Sequence, residues 1–537
     1  MTTFNSNDKT WTTYADERYD FLPMGSYIGE AVLKKMKNFD EKRVAEYNHD
    51  ANEAVTMKDI YERTITVALN LKDLKLGSKD IIAFFSRHNS YISSIAFGCY
   101  LNGTPWCPFD IIQDNLDYLL EYIKPTIFIY DEEFRPAVEK SLKRLNFKVR
   151  ELVFGNPSAE NSVEKVLLKS CDIKNYVPKD LSKIESADNL IACISFTSGS
   201  TGKPKAVPIT HSMFVNEINI LATLEEFSDE NVNMLSPSGI RWIAQLVMMF
   251  MPVLFGAKKT FSGRDPDPVN ICDVIHKWKV TSILTANSMV HSVLTHYKNT
   301  PGYDFTSLRY ILSGGEAPCS SMNEKFKKIL PNIKIYQGYG MTETGGPMAI
   351  QHDLGNINGG HLQKGFSLKV VGENGENVGH NIPGIVHIKG RFSFPGYYKR
   401  EDANQIAYKD GWLVTGDYGL MTKENHLHIY CRFKDIPKCN GKLIIPNLIE
   451  QHLNKHNLVD LCLMIAVPGN SPGDQKIAVF VKLVENVNEK EARTELIKYL
   501  KLVVEWDIVA KFSIVDYFKT NSTGKADKEI LKREFVI

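Results

Sequence analysis

The chain has no surplus of charge of either sign: 64 Lys and Arg stand against 63 Asp and Glu among 537 residues, a formal net charge of +1. A phosphate backbone draws proteins in through clustered positive charge, so the balance excludes nucleic acid as the expected partner. Cysteine is sparse: its nine copies are odd in number, scattered, and never form a CxxC pair. That excludes a disulfide framework and the usual zinc spacing, and points to a reduced intracellular setting. Long apolar runs are missing as well. The longest, LVMMFMPVLFGA from Leu246 to Ala257, is too short to span a bilayer and contains a proline, so it reads as a buried core segment.

The N-terminal MTTFNSNDKT has neither the basic start nor the apolar centre of a secretory signal, and the chain closes on EFVI without the peroxisomal SKL address. An intracellular, cytoplasmic location is therefore expected, with no membrane span and no obligate protein partner. No low-complexity segment occurs, and no repeat beyond a four-letter STGK found twice. What the chain does have is length and 43% hydrophobic content, enough for a large core and too much for one ordinary domain.

Up to about Leu190, helix-like stretches such as TMKDIYERTITVALNLKDL and NLDYLLEYI alternate with short apolar strands such as DIIAFF, PTIFIYD and RELVFG. That alternation predicts parallel α/β layers. Further units of the same kind follow in KVTSILTANSM, LRYILSGGEAP and NIKIYQGYGMTE. From Gly359 to Gly416 the texture shifts to short alternating strands broken by Gly and Pro, as in a β-rich subdomain. YCRFKDIPKCNGKLIIP reads as a linker, with Pro437 and Gly441 as breakers. The expected fold class is α/β: a large multi-lobed N-terminal domain over 1–430, a linker at 431–437, and a small α+β domain over 438–537.

The stretch SFTSGSTGKPKAVPITH, Ser195 to His211, joins strand LIACISF to a helix with Thr210 or Ser212 as its N-cap. Its run from Thr197 to Gly202 is all Ser, Thr and Gly. A strand, such a loop and a helix start make an anion site, because N–H groups, hydroxyls and the helix dipole converge. A Walker A loop is excluded: Gly199 and Gly202 are too close, and Lys203 is followed by Pro204 rather than by Ser or Thr.

TSGSTGKPKA resembles the phosphate loop of the adenylate-forming superfamily, which includes acyl-CoA synthetases, 4-coumarate CoA ligases, insect luciferases and peptide-synthetase adenylation domains. YQGYGMTE (336–343), GWLVTGD (411–417), RFKDIPKCNG (432–441) and NSTGK (521–525) fit the same family in the same order, so the resemblance covers essentially the whole chain. In length and motif order the chain closely resembles insect luciferase-like acyl-CoA synthetases. The implied reaction joins a carboxylic acid to the α-phosphate of ATP and expels pyrophosphate, then passes the acyl group to CoA.

By that resemblance, Thr197, Ser198, Gly199, Ser200, Thr201, Gly202 and Lys205 close over the β- and γ-phosphates. Gly315, Glu316 and Ala317 lie against adenine, and Gly338, Tyr339 and Gly340 flank the base and the α-phosphate. Thr342 contacts the α-phosphate, and Glu343 holds Mg²⁺. Asp417 suits the ribose hydroxyls, since a carboxylate accepts from both; Arg432 adds a ribose or phosphate contact. Lys434 marks the hinge about which the small domain turns, and Lys525 on that domain reaches the carboxylate and α-phosphate in one pose.

Three features depart from the family pattern. Asn440 stands where the linker carries a lysine just before its glycine, which puts the usual second step in question. Arg241 and Trp242 stand where an aromatic or histidine guards the acyl pocket; together with Gly346 they either shape that pocket or pack. Two alternatives to the CoA ligase remain open: a luciferase-type enzyme that oxidises the adenylate with O₂, and a non-catalytic nucleotide-binding relative. The retention of Glu343, Asp417 and Lys525 together speaks against the last.

Overall fold

The computed structural model describes residues 2–15, 20–109, 111, 115–197, 203–224, 229–316, 320–351, 359–391, 394–469, 474–519 and 528–536. The hydrophobic runs at Ile82–Phe85 and Ile127–Asp131 are buried along almost their whole length, as strands of a parallel sheet covered on both faces must be. They sit side by side in a six-stranded sheet. Its order is Ala206–Thr210, Ile191–Phe196, Trp106–Pro108, Ile82–Phe85, Ile127–Asp131, Arg150–Phe154. One pair is antiparallel: β1 (Ile191–Phe196) is answered by β2 (Ala206–Thr210), and the Thr197 N–H donates to the Lys205 carbonyl at 2.9 Å.

This pairing corrects the expected strand-to-helix loop. The Ser/Thr/Gly segment joins two antiparallel strands, because AVPIT is buried throughout and extends the ladder. Helix α1 (His211–Leu221) begins only after it, where Thr210 Oγ1 accepts the Met213 N–H at 3.3 Å as the N-cap. The helix dipole is therefore one strand removed from the segment it was expected to serve. The Leu246–Ala257 run is core as expected: helix α2 (Ile243–Met248) and a π turn at Met251–Phe255, buried from Leu246 to Leu254.

The second sheet changes character midway. From one edge it runs Glu53–Thr56, Val44–Asn48, Lys258–Phe261, Asn233–Leu235, Ser282–Thr285, Tyr310–Gly314 and then β3 (Lys334–Met341), all parallel beyond the first hairpin. At β3 the chain turns back into β4 (Gly346–Gln351), and everything after it is antiparallel. Gly359–Leu362 pairs with the hairpin of β5 (Trp412–Met421) and β6 (His426–Arg432), and Gly384–Gly390 and Phe366–Val371 follow, joined by Thr10–Thr13 and Thr2–Asn5 from the N-terminus. The β-rich texture after Gly359 is thus the antiparallel half of a sheet shared with the α/β layers. Binding sites in open α/β sheets form beyond the carboxyl ends of the strands, where the strand order changes, and the β3–β4 turn lies at such a place.

The C-terminal part has a sheet of its own, with Val459–Pro468 antiparallel and Val509–Ile514 parallel to the central Gln475–Leu483. Ile449, Leu453, Cys462, Val479, Leu496 and Phe512 form its core. The linker expected from residue 431 begins inside β6, which continues to Arg432 because Asp417 and Arg432 still pair across the ladder. Asn440 and Gly441, both at positive φ (49° and 79°), turn the small hairpin of Lys438–Cys439 and Lys442–Leu443. That is the Asn-Gly turn a two-residue hairpin favours. Among the described residues no helix is long and apolar enough to cross a membrane, and the eight described cysteines are all free.

Candidate active site

The turn between β3 and β4 is held by the Thr344 hydroxyl and by its own backbone. Thr344 Oγ1 accepts the Met341 N–H at 3.1 Å and lies 2.7 Å from both the Met341 and Gly346 carbonyls, while the Gly345 N–H closes on the Thr342 carbonyl at 3.0 Å. A Cβ at Gly340 would sit 2.2 Å from the Gly346 carbonyl oxygen, so the strands approach this closely only with glycine there. The turn brings Tyr339, Thr342 and Glu343 together, with Gly338 and Gly340 on either side of the tyrosine.

Three side chains from three strands meet beside it. The Tyr339 hydroxyl donates to Asp417 Oδ2 at 2.6 Å, and Arg432 Nε approaches Asp417 Oδ1 at 2.9 Å. Arg432 Nη1 also donates to the Thr415 carbonyl at 2.8 Å, which fixes the guanidinium plane. Burial pushes the Asp417 carboxyl above its ordinary range; the Arg432 charge and the Tyr339 hydroxyl pull it back only in part. Burial and then the Asp417 charge push the Tyr339 phenol well up, so it remains a donor.

Glu343, 6% exposed, receives the Tyr397 hydroxyl on Oε1 at 2.6 Å. The Tyr397 ring lies under Lys205 Nζ at 4.5 Å from its centroid, so one aromatic side chain connects the expected metal-holding carboxylate to the expected phosphate lysine. Burial, then the Glu343 charge, drive its phenol upward, keeping it protonated. Sequence reasoning missed Tyr397; the only signal was an aromatic pair in the Pro/Gly-rich stretch FPGYY, which gives no hint of a partner 54 residues away.

The remaining expected residues fall into two groups. Glu316 is committed: its carboxylate accepts the Ser288 N–H at 2.9 Å and hydroxyl at 2.8 Å, in the first turn of the helix Asn287–Asn299. Gly315 turns at φ 77° just before it. Arg241 is buried, its guanidinium 4.0 Å above the Trp242 ring and its carbonyl accepting Ser195 Oγ at 2.8 Å. Lys434 is exposed in a short 3-10 turn, Phe433–Asp435, directly after β6. Ser198, Gly199, Ser200, Thr201, Gly202, Ala317 and Lys525 lie outside the described residues.

Among the described residues no three His, Cys, Asp or Glu side chains group closely enough to hold a metal by themselves. Glu343 offers a buried carboxylate. That fits an ion such as Mg²⁺, which keeps most of its shell for water and phosphate oxygens and asks the protein for one or two carboxylates.

A sheet that turns from parallel to antiparallel gathers the tyrosine–aspartate–arginine network and the buried glutamate at one turn. The chain belongs to the AMP-binding enzyme family, which matches residues 33–398. It is 26% identical over 456 residues to acyl-CoA synthetase 7 of Caenorhabditis elegans, covering 79% of each chain. It is 24% identical over 531 residues to a long-chain-fatty-acid–CoA ligase of Thermus thermophilus, covering 93% of each. The fold is shared with an anthranilate CoA ligase solved in complex with anthranoyl-AMP, at a TM-score of 0.83 and 18% identity over 96% of this chain and 98% of that one. A luciferase-like enzyme from the nonluminescent Zophobas morio mealworm has a TM-score of 0.68 at 25% identity, over 78% of this chain and 98% of that one. The protein is an adenylate-forming ligase.

Proposed function

We propose that the protein activates a small carboxylic acid with ATP and Mg²⁺ and transfers the acyl group to CoA. In the first step a carboxylate oxygen attacks the α-phosphorus, the bond to the bridging oxygen breaks, and pyrophosphate leaves. In the second the CoA sulfur attacks the acyl carbon, its proton is lost, and AMP leaves. The network of Tyr339, Asp417 and Arg432 carries this reading. Each Asp417 oxygen has one donor and a free lone pair, so the carboxylate can accept both ribose hydroxyls without giving up the contacts that hold it.

Thr342 and Lys205 stand beside the phosphates as hydroxyl and ammonium donors, and Lys525 approaches the α-phosphate from the C-terminal domain. Mg²⁺, held through Glu343, would neutralise charge as the phosphates separate. Charge cancellation of this kind is the main task of the site, because two anions must meet. Gly315 and Ala317 flank the adenine, and Arg241, Trp242 and Gly346 border the acid.

Purified protein is expected to exchange labelled pyrophosphate into ATP only when a suitable acid is present; exchange with no member of a broad acid panel would sink the reading. Adding CoA should then yield a thioester with AMP. Light emission with O₂ in place of thioester would favour the luciferase-type second step instead.

A further inference from the structure

Glu217 sits in the middle of α1, 1% exposed, among the buried apolar side chains Phe214, Val215 and Ile218. Neither of its carboxyl oxygens has a hydrogen-bond partner among the described residues. Burial pushes the carboxyl well above its ordinary range, which favours its neutral form. A leucine or methionine would fill the same volume without leaving polar atoms unpaired. A buried acid without a partner calls for something that supplies one.

Its position says what that is. A Cβ on Gly346 would come within 2.2 Å of the Glu217 carboxyl, so the glycine leaves room for the carboxyl to rest on the first residue of β4. Gly346 follows directly on the turn that carries Thr342 and Glu343. One helical turn back, Met213 lies 3.6 Å from the corresponding point on Gly345, so α1 lies along this segment. Helix α2, which starts just after Arg241 and Trp242, packs against both α1 and β4. The carboxyl therefore rests on Gly346, one of the expected acid-pocket residues, and the helix that follows the other two, Arg241 and Trp242, packs on the same two elements.

We propose that Glu217 sets the specificity of the acid pocket, and that the enzyme takes a carboxylic acid bearing a hydroxyl or amino hydrogen-bond donor at the end remote from its reacting carboxylate. The inference rests on the adenylation reading. A hydroxyl donates to the carboxyl, and an amine takes its proton and forms an ion pair. A plain hydrocarbon acid leaves the oxygens unpaired. Sites built to hydrogen-bond a substrate group reject the analogue lacking it far more strongly than apolar pockets sort by size.

The test compares phenylpropanoate with its para-hydroxy and para-aminomethyl derivatives, and octanoate with its terminal hydroxy derivative, on the full chain. Two readouts are used: acid-dependent pyrophosphate exchange, and the rise in melting temperature on adding acid, which needs no turnover. The donor-bearing member of each set should give the higher kcat/KM and the larger thermal shift. Glu217→Leu should reverse the preference, cutting kcat/KM for donor-bearing acids by about 10²-fold. Glu217→Gln should keep the hydroxy acids and lose the amino acid; should the Leu variant not fold, this hydroxy-to-amino ratio decides. Preference for the plain acids in the wild type, an unchanged ratio in the variants, or no thermal shift with any acid overturns the proposal. Thermal shifts that favour donors without any exchange would instead sink the adenylation reading and leave the Glu217 assignment standing.

Discussion

Asp417 and Arg432 face each other across β5 and β6, and the same carboxylate that the guanidinium grips at 2.9 Å also takes the Tyr339 hydroxyl at 2.6 Å. The contact sets a pH limb. Asp417 must be ionised to accept ribose hydroxyls, and burial raises its protonation point while Arg432 and Tyr339 lower it. ATP affinity should therefore fall, as pH drops, at a point above the ordinary carboxylate range. Arg432→Gln removes the main opposing charge, so the limb should move to higher pH and KM for ATP should rise about tenfold or more at neutral pH. KM measured against pH in both proteins checks this; coincident limbs would refute it.

Tyr397 acts through Glu343, whose Oε1 takes its hydroxyl at 2.6 Å, which makes it a positioning residue. Partners that orient a metal-holding carboxylate typically contribute ten- to a hundredfold in affinity (about 10–100). Tyr397→Phe keeps the ring under Lys205 and deletes only the bond to Oε1. Half-saturating Mg²⁺ should rise about tenfold, with kcat at saturating Mg²⁺ nearly restored. A loss of kcat that excess Mg²⁺ does not recover would place the defect elsewhere.

Local pattern was legible in the sequence and cross-strand geometry was not. The helix at Met57–Asp73 and the strands at Ile82–Phe85, Ile127–Asp131 and Ile191–Phe196 follow from apolar spacing and from signals within a few residues, such as the Thr56–Asp59 capping box. The shift to antiparallel strands after Gly359 was visible as texture, but its fusion with the parallel layers into one sheet was not, because pairing partners leave no local trace. For the same reason β2 was absorbed into the expected loop: five buried residues between a Ser/Thr/Gly run and a helix cap read equally as connection or strand. Asp417 and Tyr339 were named from their motifs, yet the bond between them joins residues 78 apart. Glu217 gave no signal, since one acid on an apolar helix face reads as solvent-exposed until the face is seen to be buried.

Two neighbouring strands of the second sheet, Val44–Asn48 and Lys258–Phe261, share a buried ion pair. Lys259 Nζ lies 3.5 Å from Glu46 Oε1, both essentially without exposure, and Ser93 Oγ donates to the same oxygen at 2.6 Å. Removing one partner strands a charge. Lys259→Met should therefore cost about 3–5 kcal/mol in urea unfolding, whereas the double variant Lys259→Met, Glu46→Met should recover most of that loss. Equal costs for the single and double variants would show that packing, not charge, holds the pair.

Lys525 is expected to serve only the adenylation step. Lys525→Ala should slow acid-dependent pyrophosphate exchange by about 10²-fold or more, the scale for losing one preorganised charge donor. Thioester formation from a preformed acyl-adenylate should be nearly untouched. Equal losses in the two half-reactions would count against a C-terminal domain that changes pose between them.

Asp460 is one of the residues that dock that domain in the present pose. Asp460 receives His291 Nε2 from the helix Asn287–Asn299 at 2.7 Å and Lys482 Nζ from its own sheet at 2.7 Å, while Lys325 Nζ donates to the carbonyls of Val459 and Asp460 at 2.8 Å. Burial pushes the Asp460 carboxyl up, but the bonds and charges of His291 and Lys482 outweigh it and hold the group well below the ordinary carboxylate range. A depressed folded-state pKa means the contact stabilises docking at every pH above the unfolded value, and that this contribution fades as pH falls through the lowered one. Asp460→Asn should thus lower the melting temperature at neutral and mildly acidic pH, with the gap to the wild type closing only in stronger acid. It should also speed proteolytic cleavage between 433 and 445, since a looser domain exposes its linker. Adenylation and thioester formation should then change in opposite directions if docking in this pose serves one half-reaction; parallel changes would reduce the latch to a structural contact.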